Sequence, residues 1–202
     1  MAPSSTTRSD SPVRSSDHTR EKSSDKPLWE IVDIPGKGKG IIVTENITPG
    51  TLLLSEAPLI KTDVVHSLTS AEQDLENALS KLSITEQENF RTLHTNFPEN
   101  EDEKLIGIIR SNAYPLGPDT DVGGLFADIA RINHSCLPNA VQYWNELLGK
   151  QTIYAVRPID KGEEITTCYQ PGGTSSERKE TLKEFFKFDC TCELCSLPAD
   201  EL

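Results

Sequence analysis

No apolar run in the chain approaches the ~20 residues that a membrane-spanning helix requires. The N-terminus also lacks an apolar core behind a positive start, so no secretory signal is expected and the chain reads as intracellular. Positive charge is in deficit: 20 Lys and Arg stand against 32 Asp and Glu, a net charge of −12. So acidic a chain is poorly suited to neutralising phosphates, and no direct nucleic-acid binding is expected. The same balance steers Lys- or Arg-rich protein partners, and equally serves plain solubility. An even cysteine count is missing too. Five cysteines without an export signal argue against a disulfide scaffold and for an intracellular metal site. There is no internal repeat at solenoid periods.

Residues 1–27 form a tail. Up to residue 26 it is dominated by Ser, Thr, Asp, Lys and Arg, with one Val as its only sizeable aliphatic residue. Such a composition cannot offset the entropy of ordering, so disorder is expected. Its five basic and four acidic side chains leave −13 on the remainder. From Trp29, "WEIVDIPGKGKGIIVTENITPGTLLLSEAPLI" reads as short strands broken by turns at Gly36–Gly40 and Pro49-Gly50. Helical spacing follows, with Ala71, Leu75, Leu79 and Leu82 on one stripe and a capping box predicted at Ser70 and Gln73. A second box at Ser83 and Glu86 leads into Phe90, Leu93 and Phe97, and Leu105, Ile108 and Ile109 predict a third helix. This insert carries nine acidic and three basic residues between Ser70 and Lys104, and its stripes are expected to face a core. Strands resume after Asn112: Ala140–Trp144, then "QTIYAVRPIDKGEEITTCY" as a hairpin turning at 160–162. A helix from Glu177 to Phe186 precedes a cysteine cluster.

That cluster, Cys190, Cys192 and Cys195 in C-x-C-x-x-C, supplies three ligands of a tetrahedral zinc and leaves one position to fill. Cys136 and Cys168 remain. Cys168 lies in a strand pattern, where a core or cleft-lining thiol is ordinary. Cys136 lies in a loop bounded by Pro138, from which it can be aimed at another part of the fold. The loop "RINHSCLPNA" allows a Cys136/His134 nucleophile pair, half a metal site, or a polar loop. No oxyanion-hole glycine pattern surrounds Cys136, and a thiolate bound to zinc is not free to attack, so the metal reading is preferred. The run Gly36-Lys-Gly-Lys-Gly40 matches neither phosphate-loop template, and reads as a turn whose backbone can lie close to a ligand.

In order along the chain, "GKGKGIIVTENITPGTLLLSEAPL", "RINHSCLPNA", "GEEITTCY" and "FKFDCTCELC" together resemble the SET-domain protein lysine methyltransferases. The likeness is strongest to fungal SET proteins related to the SMYD branch, and spans about residues 29–195. It implies a mainly β fold of small sheets with a helical insert (α+β), closed by a C-terminal pseudoknot and a post-SET zinc site. The implied division is a SET domain over 28–170, with the insert at 62–110, and a post-SET helix and cysteine cluster over 171–202. S-adenosylmethionine is the implied methyl donor. By position, Lys37, Gly38 and Lys39 form the cofactor turn, Asn133 and His134 contact the cofactor, and Asn112 holds its amino-acid end. Phe188 would pack on the adenine, Tyr169 is the implied catalytic residue, and Cys136 becomes the fourth zinc ligand beside Cys190, Cys192 and Cys195.

The implied partner is a protein with an accessible lysine in a basic, histone-like segment, in nucleus or cytoplasm. The sequence has no MYND finger and stops seven residues after Cys195, so the substrate wall that a C-terminal helical domain builds in SMYD proteins is not expected. The alternative function is a SET-fold interaction module with little or no catalysis.

Overall fold

The computed structural model describes residues 27–65, 67, 69–97 and 104–197; residues 1–26 of the tail read as disordered lie outside them. Strand β1 (Trp29–Ile34) pairs antiparallel with β2 (Gly38–Val43) across a tight turn. Gly36 and Gly38 hold φ of 76° and 77° there, a region closed to most side chains. Strand β3 (Leu52–Glu56) lies beside β9 (Lys150–Ala155), which also pairs with β8 (Ala140–Asn145), giving the order β3-β9-β8. Short β4 (Ile60–Lys61) and β5 (Tyr114–Pro115) flank β6 (Gly123–Leu125) in a third sheet.

The stretch read as a hairpin over 151–169 is not one. Residues 151–155 pair with β8 and β3, while 163–167 leave for another partner. The turn itself is present, Glu163 N–H donating to the Asp160 carbonyl at 2.8 Å. Beyond it the chain runs between β2 and the short strand β7 (Asn133–His134). On one side Ile165 N–H donates to the Ile41 carbonyl at 2.7 Å and Ile42 bridges Glu164. On the other, β10 (Thr166–Thr167) pairs parallel with β7, and Ser135 N–H donates to the Thr167 carbonyl at 3.0 Å. Three segments far apart in sequence thereby line up side by side.

Apolar side chains divide into two main cores. Ile41, Val43, Phe126, Ile129, Ile132, Ile153 and Ile165 fill the one beneath the sheets. Helices α1 (Ala71–Leu79), α2 (Ile84–Arg91) and α3 (Lys104–Asn112) enclose the other, with Leu75, Leu79 and Phe90 fully buried. The four-residue spacing of Ala71, Leu75 and Leu79 aligns them on one helical face, and each full burial of a leucine contributes about 2 kcal/mol. The end of β6 joins the cores, Leu125 facing the helices and Phe126 the sheets. The capping box at Ser83 and Glu86 forms, but the one at Ser70 does not: Ser70 Oγ donates to Asp74 Oδ2 at 2.8 Å instead. Helix α2 ends at Arg91, so buried Leu93 reaches its core from beyond the helix.

One carboxylate braces the approach to β7. Glu56 accepts from the backbone N–H groups of Ala127 (2.6 Å), Asp128 (3.2 Å) and Ile129 (3.0 Å). Burial raises its pKa above the ordinary carboxyl value, opposed by the hydrogen bonds from Ile129 and Ala127. Glu56→Ala strands three donors. Net of relieving a desolvated charge, it is expected to cost about 2 kcal/mol, read as a lowered Tm in thermal denaturation.

Candidate active site and metal centre

Helix α4 (Ser175–Phe186) starts at a capping box between Thr174 and Glu177 and ends at Lys187, a non-glycine residue at φ 60°. That left-handed cap turns the chain so that Phe186 and Phe188 both reach an aromatic group. Phe186 lies 5.0 Å from the Tyr169 ring, and Phe188 lies 6.0 Å from His134 and 6.5 Å from Tyr169. The short helix α5 (Glu193–Ser196) follows and buries Cys195.

Two cavities meet at Tyr169. The larger, about 900 Å³, is bounded by the 36–39 turn, Asn112, Asn133–Ser135 and residues 186–193. All seven residues assigned from the sequence to the cofactor, Lys37, Gly38, Lys39, Asn112, Asn133, His134 and Phe188, line it. The smaller, about 70 Å³, is walled by Tyr114, Pro115, Gln142 and Ala113, and shares Asn112, Ala130, Tyr169 and Phe186 with the larger one.

Tyr169 donates its O–H to the Ile132 carbonyl at 2.6 Å, and its N–H to His134 Nδ1 at 3.0 Å. Burial, with Tyr114 and Glu164 adding to it, holds the phenol well above its usual pKa, so it stays neutral. Burial, then Arg178 and Lys37, lower His134 to about 4. Its imidazole is therefore neutral near pH 7. Since Nδ1 accepts from Tyr169, Nε2 carries the proton and donates to Cys136 Sγ at 3.2 Å. The pair is in contact, but as donor to sulfur and not as base to thiol, which removes the nucleophile reading. His134 instead couples Tyr169 to the cysteine cluster.

Asn133 Nδ2 donates to the Lys39 carbonyl at 3.1 Å and to Glu164 Oε1 at 2.7 Å, and Glu164 Oε2 pairs with Lys37 Nζ at 2.7 Å. Gly40 permits this approach: a Cβ there would sit 2.9 Å from Asn133 Nδ2 and from Glu164 Oε1. Asn112 ends α3, its Nδ2 donating to the His94 (2.6 Å) and Ile108 (2.8 Å) carbonyls. Sequence reasoning passed over several contributors. Glu164 carried a signal in the Gly-Glu-Glu motif. So did the second asparagine of the loop: Asn139, 1% exposed, accepts from Thr166 N–H at 2.8 Å and donates to the Glu164 carbonyl at 2.8 Å. Arg178 and Ile132 carried none.

The thiols of Cys136, Cys190, Cys192 and Cys195 all lie within 4.8 Å of one another, while Cys168 stands apart from this group. Cys136 Sγ is 3.6 Å from Cys195 Sγ and 4.0 Å from Cys190 Sγ. Sulfurs at ~2.3 Å from a tetrahedral zinc stand about 3.8 Å apart, so the spacing of the set is compatible with that ion. The charges fit as well. Burial pushes Cys136 far up, with Arg178 opposing and the neighbouring cysteines adding, and burial lifts Cys190 to about 11. Burial also acts on Cys192, but hydrogen bonds from Cys195, Cys136 and Cys190 outweigh it and bring that thiol to about 7. Four thiols this close cannot all ionise beside one another without a cation. Arg178 adds positive charge, with Nε 3.3 Å from Cys136 Sγ and Nη2 3.8 Å from Cys195 Sγ.

The family model for the SET domain matches residues 38–170. The chain belongs to the SET-domain family. SET methyltransferases use S-adenosylmethionine, and the larger cavity has the size of a small-molecule site. Histone-lysine N-methyltransferase set5 of Schizosaccharomyces pombe is 38% identical over 171 residues, covering 84% of this chain and 51% of that protein. Human SMYD1, a histone-lysine N-methyltransferase, is 26% identical, covering 79% of this chain and 38% of its own length. Mouse SMYD3, named likewise, is 32% identical, covering 60% and 32%. The chain thus spans about half, or less, of the length of these curated relatives. A solved Plasmodium falciparum structure aligns with a TM-score of 0.43 at 14% identity, over 73% of this chain and 96% of that one, too slight a likeness to add to the assignment. Among the described residues the SET fold consists of four sheets of two or three strands with the helical insert against them. No helix among the described residues is long and apolar enough to cross a membrane.

Proposed function

We propose that this chain is an S-adenosylmethionine-dependent protein-lysine N-methyltransferase in which Tyr169 orients the acceptor amine. The observation that carries this reading is that a large and a small cavity adjoin and share Tyr169, whose hydroxyl is fixed on the Ile132 carbonyl. Backbone groups of Lys37, Gly38 and Lys39, the amides of Asn112 and Asn133, His134 and the Phe188 ring would hold the donor in the larger cavity. When bound, the donor supplies a sulfonium methyl for in-line displacement: the S–CH3 bond breaks, an N–CH3 bond forms, and the electron pair stays on sulfur. The amine enters through the narrow cavity, whose apolar walls favour its neutral form. Tyr169 donates its O–H hydrogen bond to the Ile132 carbonyl, so its oxygen lone pairs are left to accept an amine N–H and aim the nitrogen lone pair. Alignment of this kind supplies much of the rate in a bimolecular transfer.

Cys136, Cys190, Cys192 and Cys195 would hold a structural zinc that ties the segment carrying Phe188 to the Asn133–Cys136 loop. The division into a SET domain over 28–170 and a post-SET region over 171–202 follows from that role. The acidic chain suits a basic, histone-like protein segment as acceptor, in nucleus or cytoplasm. The test is heat-treated cell extract incubated with labelled methyl donor and the wild-type chain. Label in methyl-lysine is the expected result. Saturable donor binding without label in lysine would overturn the enzyme and leave the interaction module.

A further inference from the structure

Arg178 touches both flanks of the cysteine cluster. Its Nε donates to Cys136 Sγ at 3.3 Å and its Nη2 to Cys195 Sγ at 3.8 Å, while Nη1 donates to the Gly173 carbonyl at 2.7 Å. These partners belong to the loop behind β7, to α5 and to the turn that leads into α4. Arg178 lines neither cavity, and among the described residues it forms no ion pair with a carboxylate. It is also the fourth residue of α4, where a cation opposes the helix dipole unless negative charge faces it. The four sulfurs are not served alike. Cys136 Sγ also receives His134 Nε2 at 3.2 Å, and Cys195 Sγ receives the Ser175 hydroxyl at 3.5 Å. Among the described residues no side-chain N–H or O–H donates to Cys190 or Cys192.

We propose that Arg178 is a positioning residue of the metal centre, its guanidinium fixing Cys136 and Cys195 as a pair of thiolate ligands and sharing their charge. This rests on the structural-zinc reading above. Four thiolates on one divalent ion leave an excess of negative charge, part of which the guanidinium cancels. Its planar fork reaches two sulfurs at once, whereas a lysine ammonium is a point charge on a flexible stem and cannot hold both in register. The N–H groups draw on the same sulfur lone pairs that the metal uses, so each hydrogen-bonded thiolate gives up some donor strength. The mutual repulsion of the thiolates, which the cation relieves, outweighs that loss. Arg178 therefore acts on the metal through its ligands, as outer groups do at other metal sites, where their removal costs about 10–100-fold in affinity.

The experiment uses the full chain loaded with zinc, or with cobalt(II), which accepts the same tetrahedral sulfur ligands and is coloured. Chelator competition reads zinc affinity, and the near-ultraviolet sulfur-to-cobalt charge-transfer band reads the sulfurs themselves. Arg178→Gln should bind zinc about 10–100-fold more weakly than wild type. Its band should move to longer wavelength, because sulfur lone pairs freed of N–H donors lie higher in energy. Arg178→Lys, which keeps the charge without the fork, should fall between the two on both readings. Ser83→Ala, which opens the capping box of α2 and lowers stability, should move neither. Unchanged zinc affinity in Arg178→Gln overturns the proposal. So does a weakened site whose band stays at the wild-type position, the mark of an effect on the fold alone. Equality of Arg178→Lys with wild type overturns it as well, by reducing the guanidinium to a bare charge. If Arg178→Gln does not fold, the affinity and band of Arg178→Lys decide. A wild-type chain that binds no zinc overturns the structural-zinc reading and this proposal with it, whereas zinc in wild type with unmoved variants overturns this one alone.

Discussion

Replacing Tyr169 with phenylalanine is expected to cut methyl transfer by about 10²–10³-fold while donor affinity stays within about twofold. The hydroxyl is the only atom removed. Its partner, the Ile132 carbonyl at 2.6 Å, belongs to the residue that leads into β7, which fixes the hydroxyl of a residue that lines both cavities. The ring contacts with Phe186 and His134 survive in the variant, and so does the backbone bond to His134 Nδ1. Labelled transfer and calorimetric donor binding, measured on both proteins, check the split. Equal transfer by the two would remove Tyr169 from the mechanism.

The pH profile gives a second reading of the same residue. Because burial raises the Tyr169 pKa well above 10, ionisation of the phenol adds no inflection below that pH, and rate should rise only with deprotonation of the amine. Tyr114 is raised likewise by its burial. Both folded-state values exceed the unfolded value near 10, so the unfolded chain releases these protons first. Stability is therefore lost as pH climbs through 10, not before.

Cys136→Ser is expected to weaken zinc binding at least about 100-fold, from near one ion per chain, and to lower Tm by several degrees. Cys136 is the only member of the four-thiol group outside the C-terminal segment. Its loss leaves a three-thiol remnant and frees residues 188–195 from the Asn133–Cys136 loop. Phe188 and Cys190–Glu193 also line the larger cavity, so donor affinity should fall together with zinc. Chelator competition measures the first effect and donor titration the second. Full zinc content in Cys136→Ser, with loss in Cys168→Ser, would transfer the fourth position to Cys168. With a divalent ion bound, Arg178 would offset the excess negative charge of four thiolates, two of which it contacts.

Much of the outcome follows from local sequence. The period of Ala71, Leu75 and Leu79, the Ser83–Glu86 box and the glycines of the 36–40 turn act over a few residues, where propensity and sterics decide. The cysteine spacing likewise pointed to a cluster of thiols that could hold a metal, and the bounded loop at Cys136 brings a fourth thiol to it. What only tertiary structure decided are the pairings between distant segments. Lys37 and Glu164 meet across 127 residues because 163–167 slips between β2 and β7, which made the expected hairpin over 151–169 give way. The contact of His134 with Cys136 is two residues apart in sequence, yet its meaning depends on Tyr169 donating to Nδ1 from 35 residues away. Glu56 finds its backbone donors only once the sheets have packed. A side chain's alternation tells which face it takes; which atom waits on that face is set by chain closure, and hydrogen-bond partners at long range leave no local trace.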